Sequence, residues 1–103
     1  MRWSRQAAST LLALTIAVPP AHAEGGPGDA ARGAALYAEA CAICHGPSGQ
    51  GGVGPSLKNL HAHRDLASTE AWIKDPSARM PKLYPTALSV QDVNDVASYV
   101  NGF

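Results

Sequence analysis

The chain has 103 residues, eight Lys+Arg against eight Asp+Glu, 46% apolar residues and only two cysteines. That length predicts a single folded domain. The balanced charge leaves no strongly cationic surface of the kind nucleic acid needs.

Residues 1–23 read as a signal peptide. Arg2 and Arg5 supply a positive start, the run from Ala7 to Val18 is apolar, and Ala21 and Ala23 are the small residues a signal peptidase needs. The run is shorter than the roughly 20 residues that span a bilayer. Cleavage after Ala23 leaves 80 residues with six Lys+Arg against eight Asp+Glu, a net charge of −2. No second apolar stretch follows, so the expected product is exported, periplasmic and without a membrane segment. A chain of this size buries little apolar surface on its own and is expected to need a staple or a cofactor. With six aromatic residues in total, Trp3 among them in the leader, something besides side chains is expected to fill the core.

Residues 24–28 read as a flexible lead. Asp29 is the predicted N-cap of a helix running to about Ala40. On it Gly33, Tyr37, Ala40, Cys41 and Cys44 recur at steps of three and four and are expected to share a face. Residues 46–56, with five glycines and two prolines, are loop. Ser68 is the predicted cap of a short helix through Trp72 and Lys74, which Pro76 ends. The last helix carries the strongest start signal: Ser89 and Asp92 form a Ser-x-x-Asp box, with Leu88 and Val93 placed as a hydrophobic staple. Val93, Val96, Ala97 and Val100 then form one apolar stripe, with Tyr99 beside it, and Gly102 is a stop signal. No strand pattern or internal repeat is present. The expectation is an all-α fold of three to four short helices joined by long loops.

The chemistry lies in residues 41–45, Cys-Ala-Ile-Cys-His. Cys-x-x-Cys-His is the attachment signature of c-type haem. Three residues apart at a helix end, Cys41 and Cys44 point the same way and can form thioethers with the two vinyl groups of one porphyrin. His45 then turns its imidazole to the iron. A thioredoxin-like pair needs a βαβ context that is missing here. A zinc site needs a fourth ligand, for which His61 or His63 would have to serve. A plain disulfide, open to any exported chain, leaves the adjacent histidine without a purpose.

The second axial position decides function. A protein ligand there favours electron transfer, and an open position allows small-molecule binding or peroxide chemistry. Downstream candidates are His61, His63, Met80, and the lysines Lys58, Lys74 and Lys82. Met80 is favoured: its thioether is neutral and soft, and Pro81 stiffens the loop that must hold it. His61 and His63 read as solvated histidines in a charged segment. A lysine would first have to lose its proton.

The segments GAALYAEACAICHG, GVGPSL, WIKDPSARMP and LSVQDVNDVASYV, in that order, resemble small bacterial class I (monohaem) cytochromes c across nearly all of residues 29–103. The resemblance implies a cytochrome c-like fold around one covalent haem, its first and last helices crossing at Gly33 with Tyr37 and Tyr99 nearby. It implies that the Pro55 carbonyl accepts the Nδ1 proton of His45, that His45 and Met80 are the axial iron ligands, and that Trp72 lies beside the haem. The implied function is a periplasmic carrier that moves single electrons between redox partners as the iron alternates between ferric and ferrous. Two alternatives are a haem subunit of a periplasmic oxidoreductase complex and a five-coordinate haem enzyme or gas sensor. Lys58, Arg64, Lys74, Arg79 and Lys82 outnumber Asp65, Glu70 and Asp75 across residues 41–82, which suggests a mildly positive face near Met80 for acidic partners.

Overall fold

A computed structural model describes residues 27–103 apart from Ala78, together with Ala13. The expected leader therefore lies, but for Ala13, outside the described residues. Among these residues the secondary structure is entirely helical. The elements are α1 (Ala30–Ala40), α2 (Ala42–His45), a 3₁₀ turn (Leu60–Ala62), α3 (Leu66–Lys74) and α4 (Val90–Val100). None of the described helices is long and apolar enough to cross a membrane.

The helix starts follow from side-chain caps. Asp29 is extended, and its carboxylate accepts from the Ala31 and Arg32 amides, two of the donors a first turn leaves open. At α4 the capping box is complete, with Ser89 Oγ accepting from Asp92 N–H and the Asp92 carboxylate accepting from Ser89 N–H, both at 3.0 Å. The α3 cap differs from the expected one. Asp65, not Ser68, is the N-cap, and its carboxylate accepts from Ser68 N–H at 2.8 Å. Ser68 sits inside the first turn, its hydroxyl taken by Arg64 Nη1 at 3.3 Å. A carboxylate three residues ahead of a serine competes for the same orphan amides and accepts more strongly.

Nor do the five small and apolar positions of the first helix lie on one continuous element. Gly33, Tyr37 and Ala40 belong to α1, while Cys44 belongs to α2. At Cys41 φ widens to −118°, and its carbonyl accepts from both Cys44 N–H (3.2 Å) and His45 N–H (3.0 Å), so the helix restarts there.

α4 packs against both α1 and α3. Its buried side, Val93, Val96, Ala97 and Val100, meets Tyr37, Leu60, Ile73 and Leu88 to make the core. The α1–α4 crossing is closest at Gly33, where a Cβ would overlap the Asp95 carbonyl. Asp95 is 1% exposed and accepts from Asp29 N–H (2.8 Å), Gln91 Nε2 (2.9 Å) and Arg32 Nη1 (2.9 Å). Arg32 also pairs with Asp92 at 2.8 Å. Burial pushes the Asp95 carboxyl up, but these donors outweigh it and hold the group below the usual carboxylate range. The two acidic residues of α4 are thus engaged by α1 and add little to the outer field.

Candidate functional site

Cys41, at the junction of α1 and α2, and Cys44 and His45 of α2 form one unit. Cys41 and Cys44 are half-buried free thiols. Burial, and then the neighbouring Cys44, push the Cys41 thiol up to about 11, so it stays neutral at physiological pH. His45 is fixed from several directions. Its carbonyl accepts from Gly51 N–H at 2.7 Å, and the Cys44 carbonyl accepts from Gly54 N–H at 2.7 Å. Its ring Nδ1 lies 2.8 Å from the Pro55 carbonyl oxygen. A carbonyl can only accept, so Nδ1 carries a proton and Nε2 is the ring nitrogen left for a metal. Below the loop, the Tyr37 hydroxyl donates to the Gly46 carbonyl at 2.6 Å.

Two cavities, of about 270 and 400 Å³, adjoin this unit. Cys41, His45, Pro55, Trp72 and Met80 line both. The first is walled by the core, including Leu60, Ile73, Val96 and Val100, and its polar lining includes Ser56, His63, Arg64 and Thr69. The second opens past Cys44, Ile43, Val53, Arg79 and Pro81. Met80 is half-buried and packs against the core. Trp72 is 39% exposed, and the Arg64 guanidinium stands 5.0 Å from its ring centre.

The other candidates for the second axial position fare differently. His61 and His63 are both exposed, and only His63 lines a cavity. None of the lysines lines either cavity: Lys58 sits 5.3 Å over the Phe103 ring, Lys74 5.6 Å over the Tyr84 ring, and Lys82 is 3.8 Å from Asp75. Among the described residues no three His, Cys, Asp or Glu side chains gather as a metal cage, so the zinc alternative lacks its ligand set.

The arrangement fits a haem. An imidazole with its Nδ1 already engaged and a thioether belong to side chains on the same cavities. Two thiols stand on the wall, and the remaining lining is largely aliphatic and aromatic, as a planar apolar macrocycle requires. Arg64 was not singled out in the sequence as a site residue. A lone arginine just ahead of a helix cap is its only signal, and its guanidinium has no carboxylate partner among the described residues. Ile43 and Val53 were missed too; they are 85% and 86% exposed at the edge of the second cavity.

Comparison with known proteins points the same way. The family described as "Cytochrome C oxidase, cbb3-type, subunit III" matches residues 28–100. Cytochrome c-554(547) of Halothiobacillus neapolitanus is 34% identical over 71% of this chain and 94% of its own length. Cytochrome c6 of the diatom Phaeodactylum tricornutum superposes with a TM-score of 0.63 at 26% identity, covering 73% of this chain and 93% of that one. The thiosulfate dehydrogenase TsdBA of Marichromatium purpuratum is 37% identical with a TM-score of 0.54, covering 73% of this chain but 18% of that much longer one.

Proposed function

The chain belongs to the c-type cytochromes, as a small monohaem member carrying one covalent haem c, and from that premise we propose that it is a periplasmic electron carrier with His45 and Met80 as axial ligands. The observation that carries this reading is the pair of cavities that His45 and Met80 line together with Cys41. When bound, the haem supplies a reversible one-electron couple between ferric and ferrous iron.

The protein's part is to hold that couple rigid. Cys41 and Cys44 would tether the ring as thioethers, so that it would not be lost outside the cytoplasm. Pro55 O holds the proton on His45 Nδ1, which keeps Nε2 directed at the metal and raises its basicity. Met80, its loop stiffened by Pro81, would supply the second protein ligand and so exclude exogenous ones. Keeping both ligands in both oxidation states keeps the rearrangement per transfer small. Trp72 would pack beside the ring, and Arg64, which lines the first cavity, would offer a counter-charge for ring carboxylates. Ile43, Val53 and Pro81 frame an apolar edge on which a donor or acceptor docks briefly; small interfaces suffice for such encounters.

Absorption spectra of wild type and Met80→Ala in both oxidation states test the ligand assignment. The expected result is a changed spectrum in the variant and carbon monoxide binding by its ferrous form, which wild type resists. An unchanged spectrum overturns it and passes the ligand role to His61 or His63, whereas rapid carbon monoxide binding by wild type overturns it and moves the function toward a five-coordinate enzyme or gas sensor. A second reading is a haem subunit of a periplasmic oxidoreductase, favoured by the 37% identity to a stretch of the thiosulfate dehydrogenase TsdBA. Native mass of the purified protein separates the two, since a stable hetero-complex would exclude a free carrier.

A further inference from the structure

We propose that Phe103 is a positioning residue for His45, acting at a distance through the glycine loop; this rests on the reading of His45 as an iron ligand. Phe103 lines neither cavity. Its ring lies instead against Gly49, where an added Cβ would come within 2.7 Å of the ring carbons. Gly49 has a φ of +71°, a left-handed conformation that glycine adopts without strain. Gly49 thus meets the ring where a side chain would stand, while its carbonyl is engaged elsewhere. The carbonyl accepts from Leu57 N–H at 2.7 Å and from Ser56 Oγ at 3.2 Å. Those two residues directly follow Pro55, whose own carbonyl accepts from His45 Nδ1–H. A short relay therefore runs from Phe103 through Gly49 and residues 56–57 to the proton that sets the basicity of His45.

The other end of the relay is anchored. Phe103 packs edge-on to Tyr37 (centroids 5.4 Å apart, planes at 72°) and to Tyr99 (5.1 Å, 67°). Tyr37 in turn donates to the Gly46 carbonyl, which also accepts from Gly49 N–H at 3.1 Å. Gly49 is thus gripped between an aromatic ring and a hydrogen-bonded turn. Loss of the ring leaves a void beside Gly49 into which the loop relaxes. The Pro55 carbonyl then moves away from Nδ1–H. A histidine with a weaker bond at Nδ1 is a poorer electron donor to iron, which favours the ferrous state and raises the midpoint potential.

The test compares wild type, Phe103→Leu and Phe103→Ala as holoproteins, by potentiometry, by NMR exchange of the His45 Nδ1 proton, and by denaturant unfolding. The expected result is a midpoint potential that rises from wild type through Phe103→Leu to Phe103→Ala. The Nδ1 proton should exchange roughly ten-fold faster in Phe103→Ala, the size expected when one hydrogen bond of ordinary net strength is lost. A fall in stability with potential and exchange unmoved would make Phe103 a packing residue only and overturn the proposal. If Phe103→Ala fails to fold, Phe103→Leu, which keeps apolar bulk, carries the test on the same two readouts. Absence of hyperfine-shifted His45 ring resonances in the ferric wild type would instead sink the ligand assignment, independently of Phe103.

Discussion

At Gly33 a single hydrogen atom decides whether α1 and α4 can meet, because any Cβ there overlaps the Asp95 carbonyl. Backbone cannot yield as a flexible side chain can, so Gly33→Ala is expected to cost about 3 kcal/mol, at the upper end for overpacking, read as a lowered denaturant midpoint. Asp95 beside it makes a different demand. Its carboxyl is held below its ordinary value, so its stabilising contribution is complete above the unfolded value near pH 4 and is lost as pH falls through the folded one. Stability should therefore decline on acidification below about pH 4. Asp95→Asn should be less stable at neutral pH by about 2 kcal/mol, with charge-assisted bonds weakened, and its acid slope should be shallower. An acid slope identical to wild type would show that other carboxylates dominate. Arg32 is half-exposed, so its ion pairs add less than the buried hydrogen bonds do.

Among the elements, α3 and α4 test how far local signals reach. The Ser89 box at α4 is visible in the sequence because both partners lie within four residues, and Ser89→Ala should cost about 1 kcal/mol. At α3 the same logic pointed to Ser68, whereas Asp65 holds the cap. Asp65→Ala is accordingly expected to cost about 1 kcal/mol, and Ser68→Ala less than about 0.5; the reverse order in thermal melts would restore Ser68. Both serine and aspartate are good caps; the carboxylate is the stronger acceptor, and contacts from Asn101 also hold the helix at this start. Asn101 donates to Thr69 Oγ1 at 2.9 Å and to the Arg64 carbonyl at 3.2 Å, contacts more than thirty residues away in sequence. The break at Cys41 was hidden for a related reason. A spacing of three and four residues is satisfied equally by one long helix and by a helix that restarts.

For the molecule as a whole, the all-helical fold was legible because it rests on caps and stripes that are local. The motif at 41–45 was legible because its spacing is the chemistry. Arg64, Ile43 and Val53 were not, because they become cavity lining only when distant segments close around it, and Phe103 was not, because it meets Gly49 only in the folded chain. Charge too takes its final form only in the folded molecule. Counted along the chain, Asp92 and Asp95 make the last segment acidic; folded, both contact Arg32. What remains outward near Met80 includes exposed Arg79 and Lys82, the latter 3.8 Å from an exposed Asp75. Charges so exposed are screened over about 8 Å at physiological salt, so they act on encounter more than on the docked complex. If they steer acidic partners, stopped-flow electron transfer to an acidic redox protein should slow by about ten-fold as salt rises from dilute buffer. Lys82→Glu should lower the dilute-buffer rate and leave the high-salt rate near wild type. Ile43→Ser, on the apolar edge, should slow transfer at both salt concentrations, because contact there is made after steering has ended. A rate independent of salt in wild type and in Lys82→Glu would remove steering and leave the apolar edge as the sole basis of recognition.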